Sequence, residues 1–273
     1  MRFSMTNLAR IFIFAVYAAH LLAAGLSALD AASLLSKKTL SRQEFEATLA
    51  SLDAQTQKNI ILNKKEFLTL LEKIIKEPRE LTMLVDKQHK LSSHYAPDDL
   101  TDLSEQSWAR VKRKHLMVSS LIMKDLEKMI KAAEKDGIAL YVASGYRSYA
   151  YQKKTYAGWI EKLGRKEAMR ISAPAGASQH QLGTVIDFYP INSSFTGTPA
   201  QVWLVENAHK YGFSLSFPAA HEKQTGYKYE SWHYRYIGPH AIQIQQKFFG
   251  GLQYRFLTWW NGQRHFYTQK VHK

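Results

Sequence analysis

Residues 178–187 (SQHQLGTVID) and 230–235 (ESWHYR) supply two histidines about fifty residues apart, an aspartate and a glutamate, in an order that can assemble one metal site. This constrains the chain more than any other feature, because donors from distant stretches have to fold onto one point. The chain has no cysteine, so disulfides and thiolate sites are closed to it and a metal has only nitrogen and oxygen donors. Zinc in hydrolytic sites takes three protein ligands and keeps one position for water. His180, Asp187 and His233 could be that set, and Glu230, three residues before His233, could then take a proton from the water.

Eleven histidines occur, and a histidine by itself is weak evidence for metal. His180 and His233 stand out because each lies near a carboxylate and beside a turn-forming or aromatic residue. Gly183 lets the backbone bend between His180 and the strand carrying Asp187, and Trp232 can wall the metal from bulk water. In a regular strand Glu230 and His233 would point to opposite faces, so a bend near Ser231 is required if both face the metal. A surface ion pair is the competing reading of Glu230. Arg147, in a glycine-containing turn with Tyr146, offers a planar fork suited to a carboxylate or an oxyanion, or to a structural ion pair.

With 45% hydrophobic and 12% aromatic residues in a 273-residue chain, one sizeable core with an appendage is expected. Arg2 and Arg10 precede an apolar run at 11–24 followed by small residues, which predicts a signal peptide over 1–28 or, if uncleaved, a membrane anchor. Apolar spacing at 42–52 and 64–75 predicts amphipathic helices in an N-terminal arm, 29–80. A peptidase domain is expected over 81–249 and a tail over 250–273. Residues 84–103 read as an extended lead-in, then a helix at 118–135 stopped by Asp136-Gly137, and a strand at 138–143. Ser148 should cap a helix ending near Leu163, and Thr198-Pro199 should start one that stops at Gly212 with Val202, Trp203, Val205 and Ala208 buried. Strands are expected at 184–188, 213–217 and 232–237, with a helix at 241–248. The pattern predicts an α+β fold with a small, mainly antiparallel sheet.

The strings SGYRSYAYQ at 144–152, SxHxxGxxxD at 178–187 and ExWHYRYIG at 230–238 resemble the VanY-type D-alanyl-D-alanine carboxypeptidases. These belong to the LAS zinc peptidases, with LdcB-type L,D-carboxypeptidases, VanX-type dipeptidases and the Hedgehog signalling domain. The resemblance runs from about Leu84 to about His240 and implies a Hedgehog/D,D-peptidase-like fold. It also implies zinc on His180, Asp187 and His233, Glu230 as catalytic base, Arg147 on substrate or oxyanion, and Ser178 and Gln152 near the substrate, with Tyr146 and Trp232 in the same neighbourhood. Gln179 stands where glutamate is frequent and Val185 where alanine is frequent. The implied activity is removal of terminal D-alanine from peptidoglycan stem peptides, with L,D cleavage or zinc-dependent wall binding without hydrolysis as alternatives. The formal charge of +14 suits a polyanion. Given the expected export, anionic envelope polymers fit better than nucleic acid, and a periplasmic or envelope location is expected.

Overall fold

The computed structural model describes residues 40–271. The leader expected over 1–28 and the first part of the arm lie outside the described residues. Among the described residues no helix is long and apolar enough to cross a membrane.

Two compact units are present, one containing residues 40–49 with 265–271 and the other residues 50–264. In the smaller unit helix α1 (Arg42–Leu49) buries Phe45 and Leu49. There Thr48 Oγ1 lies 2.8 Å from Tyr267 OH, and Lys270 pairs with Glu44 at 2.6 Å. The larger unit starts with α2 (Ala54–Leu62) and α3 (Lys64–Lys76). Helix α3 buries Phe67, Leu70, Leu71, Ile74 and Ile75, and residues 50–80 of the expected arm fall in the same unit as the expected peptidase region.

Strands β1 (Leu100–Asp102) and β2 (Met117–Ser119) form a two-stranded ladder. The helix expected from Val118 therefore begins later: Ser119 caps a 3₁₀ turn at Ser120–Ile122 and α4 runs Met123–Lys135. Strand β3 covers only Val142–Ser144. Before it, Tyr141 O accepts from Tyr189 N at 2.8 Å, and Pro190, with no N–H, cannot extend that pairing. Ser148 Oγ caps α5 (Tyr149–Ile171), accepting from Tyr151 N at 3.2 Å. The helix passes the expected end near Leu163 because Gly164, at φ 73°, kinks the backbone and the chain resumes helix beyond it.

Strand β4 (Val185–Phe188) is followed by α6 (Pro199–Asn207), capped by Thr198 as expected. Its buried stripe is Trp203 and Leu204, joined by Ala208, whereas Val202 and Val205 are 47% and 56% exposed. At 100° per residue those two valines fall on the opposite side of the helix. Gly212, at φ 82°, stops this region before β5 (Phe213–Leu215). After the short α7 (Glu222–Thr225) come β6 (His233–Tyr236), α8 (Pro239–Phe248) and α9 (Gln253–Val271).

The main sheet has the order β3-β4-β6-β5 and is antiparallel throughout, with one isolated parallel bridge at Val111 and Val142. This is the small antiparallel α+β architecture expected. Alternation along the strands sends Ile186, Phe188, Tyr234 and Tyr236 into one core with Leu126, Met129 and Ile130 of α4. Asp187, His233 and Arg235 consequently lie on the other face. Arg235 is fully buried, its Nη2 donating to the carbonyl oxygens of Glu80, Leu81 and Met83.

Candidate metal centre

Register brings the ligand candidates together. Asp187 of β4 lies opposite His233 of β6 and, on its other side, opposite Ser144 of β3. Directly opposed residues project from the same face of a sheet, so the carboxylate and one imidazole meet without help from a loop. The second imidazole arrives from the 3₁₀ turn Gln179–Leu182, which ends at Gly183 with φ 71°. That left-handed conformation turns the chain back into β4 at little cost for glycine. His180 Nδ1 donates to Gly145 O at 2.6 Å, which leaves Nε2 as a lone pair directed at Asp187.

Ligand atoms of His180, Asp187 and His233 all lie within 4.8 Å of one another, and all three residues are buried. His180 Nε2 is 3.1 Å from Asp187 Oδ2, and His233 Nδ1 is 3.1 Å from Asp187 Oδ1 and 3.3 Å from Glu230 Oε2. His180 Nε2 and Asp187 Oδ1 are both buried, and among the described residues neither has a well-aligned hydrogen-bond partner. An imidazole lone pair held 3.1 Å from a carboxylate oxygen out of water is costly unless a cation or a proton lies between them. The donor set, two imidazoles and a carboxylate without sulfur, suits a borderline divalent ion such as zinc.

Burial, together with the nearby Arg147 guanidinium, pushes the His180 imidazole down to about 4, so it is neutral at physiological pH. Burial would raise the Asp187 carboxyl, but His180 and His233 outweigh it and hold the group well below the ordinary carboxylate range. At His233 burial acts to lower the value, and the Asp187 and Glu230 carboxylates close to Nδ1 overcome it, lifting the imidazole to about 9.

Glu230 reaches this point through the bend expected at Ser231: His233 N donates to Glu230 O at 3.2 Å, a tight turn just ahead of β6. The Ser231 hydroxyl is buried and accepts from Thr196 Oγ1 at 2.9 Å, which pins the turn. A cavity of about 470 Å³ opens over the cluster, and Arg147, Ser178, Glu230 and Trp232 line it. Arg147 comes from the turn after β3, where its backbone N–H donates to His180 O at 3.2 Å.

Tyr146 and Gln152 are not among the cavity-lining residues. Tyr146 is half-buried, and Gln152 is turned away, its Nε2 donating to Ala173 O at 2.7 Å. Gln152 therefore braces the wall at Ser172 and Ala173, which do line the cavity. Several lining residues escaped the sequence reading: Phe217, whose ring lies 4.8 Å from that of His233, and Tyr227, Trp159 and Ile191. Their only sequence signal is aromatic or apolar character near a turn, which most such residues share.

The VanY family model, described as D-alanyl-D-alanine carboxypeptidase, matches residues 115–239. A Bacillus subtilis (strain 168) protein named as a carboxypeptidase, YodJ, is 30% identical over 218 residues, 75% of this chain and 79% of YodJ. A D-alanyl-D-alanine carboxypeptidase of Enterococcus faecium is 28% identical over 173 residues, covering 61% of this chain and 54% of that enzyme. Among solved structures, the LdcB LD-carboxypeptidase aligns with a TM-score of 0.59 at 30% identity, over 64% of this chain and 84% of LdcB. The vancomycin resistance D,D-pentapeptidase VanY in complex with Zn(II) aligns at 0.55 and 28% identity, over 65% of this chain and 99% of the other.

Proposed function

Because the chain belongs to the VanY family of carboxypeptidases, hydrolases of peptide bonds, we propose that it is a zinc-dependent D,D-carboxypeptidase removing the terminal D-alanine of peptidoglycan stem peptides. The observation that carries this reading is the convergence of His180 Nε2, Asp187 and His233 Nδ1 beneath an open cavity, with the Glu230 carboxylate 3.3 Å from His233 Nδ1. Zinc, held by those three residues, would supply Lewis acidity towards the scissile carbonyl and the attacking water. Glu230 takes a proton from that water and returns it to the departing amine. Arg147 lines the cavity, and its buried Nε has no hydrogen-bond partner among the described residues. It is thus free to hold the oxyanion or the substrate carboxylate. Ser178 and Trp232 complete the walls and limit water around the reacting bond.

Action at the cell envelope is part of the same proposal, supported by the +14 charge and by the apolar run at 11–24. A second reading, L,D cleavage, is favoured by the likeness to LdcB. Muropeptides ending in one or two D-alanines, incubated with zinc-loaded protein and weighed by mass spectrometry, separate the two. The D,D reading expects loss of one alanine only from the two-alanine substrate. Glu230→Gln should keep the metal and lose at least about 10²-fold in kcat, the lower range for a positioned base; retained turnover would remove Glu230 from its role.

A further inference from the structure

The Nε2 edge of His233 points away from the other two ligands, 3.3 Å from Gln179 Oε1. That oxygen also accepts from the Ser216 hydroxyl at 2.8 Å. Ser216 lies just past β5, is 2% exposed, and has Gln253 Oε1 3.2 Å from its hydroxyl oxygen. Gln253 Nε2 donates to Ser214 O at 3.3 Å, and the Ser214 hydroxyl accepts from Gln245 Nε2 at 2.8 Å. Buried polar groups thus run from a candidate metal ligand through β5 to α8 and the first residue of α9, which lie almost wholly beyond residue 239, where the family match ends.

A neutral imidazole carries one proton. For His233 to offer a lone pair from Nδ1, where Asp187 and Glu230 converge, the proton has to sit on Nε2. The group facing Nε2 then decides the tautomer. A carbonyl oxygen accepts that proton and leaves Nδ1 open, whereas a turned amide, presenting its NH₂, would favour the proton on Nδ1 and close the site. The Ser216 hydroxyl, donating to Gln179 Oε1, holds the amide with its oxygen inward.

We propose that Gln179, anchored by Ser216, is the positioning residue that fixes His233 with Nδ1 towards the metal. The inference rests on the metal-site reading of His180, Asp187 and His233, and its test is separable from that reading because it measures metal rather than peptide. The experiment compares parent, Gln179→Met, Gln179→Glu and Ser216→Ala by chelator competition for zinc, by the visible spectrum of the cobalt-loaded proteins and by thermal unfolding. Gln179→Met, close in volume but without an acceptor, should bind zinc about 10- to 100-fold more weakly, the usual effect of losing such a partner. It should also shift the cobalt bands. Gln179→Glu keeps an acceptor and should bind within about 3-fold of the parent, a range narrower than that loss, and Ser216→Ala should fall between. Zinc binding by Gln179→Met as tight as the parent's would overturn the proposal, as would Gln179→Glu binding as weakly as Gln179→Met. A parent protein that binds no zinc would overturn this inference and the metal reading together.

Discussion

At Gly145 a Cβ would run into the Met117 carbonyl oxygen and lie 2.9 Å from both Leu116 Cδ2 and Val118 Cγ1. The same residue's carbonyl oxygen fixes His180, accepting from Nδ1 at 2.6 Å. One position therefore serves two ends: close backbone approach between β2 and β3, and the tautomer of a candidate ligand. Gly145→Ala is expected to cost about 1–3 kcal/mol of stability through overpacking and to weaken metal binding because the carbonyl shifts. Denaturant unfolding and chelator titration on the same variant check both, and unchanged metal affinity would show that the carbonyl's position is not critical. The buried charges have an analogous logic. His180, held neutral by burial, and Asp187, held ionised despite burial, are in the protonation states a divalent ion needs, whereas His233, lifted to about 9, has to give up its Nδ1 proton to bind one.

Among elements, the helix starts are specified most locally. Asp53 caps α2, accepting from Thr56 N at 3.0 Å and from Thr56 Oγ1 at 2.8 Å, and it also pairs with Arg255. These bonds, the one from the Thr56 backbone first, hold its carboxyl down to about 2, below the ordinary 3.8. A depressed carboxyl value means that the folded state binds the proton less readily than the unfolded one. The contribution of Asp53 is therefore complete above about 3.8 and is lost as pH falls towards about 2. Asp53→Asn should lower Tm at neutral pH and flatten the fall of Tm with acid across that window. An acid limb identical to the parent's would show that the carboxylate contributes nothing there.

For the whole molecule, the tail expected over 250–273 is part of the larger unit up to Arg264. Trp260 is fully buried and its indole N–H donates to Thr82 Oγ1 at 3.1 Å, while Trp259 packs its ring 5.4 Å from Phe67 and 5.5 Å from Phe249. Helix α9 thus closes the same core that α3 and α8 enter, and its first residue, Gln253, is buried beside Ser216. Trp260→Ala should destabilise by about 3–5 kcal/mol, the usual cost of emptying a buried tryptophan site. Equilibrium unfolding in urea measures it, and a loss under about 1 kcal/mol would mean that the helix end is not part of the cooperative core.

Much of this was legible from residues alone. The two stretches carrying the candidate ligands, the helix caps at Ser148 and Thr198, the stop at Gly212 and the antiparallel α+β class follow from local chemistry: donor types, turn geometry and apolar period are properties of a few adjacent residues. The tertiary structure decided the rest. The pairing of Asp187 with His233, the turning of Gln152 out of the cavity, the exposure of Val202 and Val205, the placement of Phe217 and Gln179 beside His233, and the incorporation of α2, α3 and most of α9 into one unit all depend on which distant surfaces meet. Burial and hydrogen-bond partnership are set by contacts across the chain, and a side chain's own type leaves more than one such contact open.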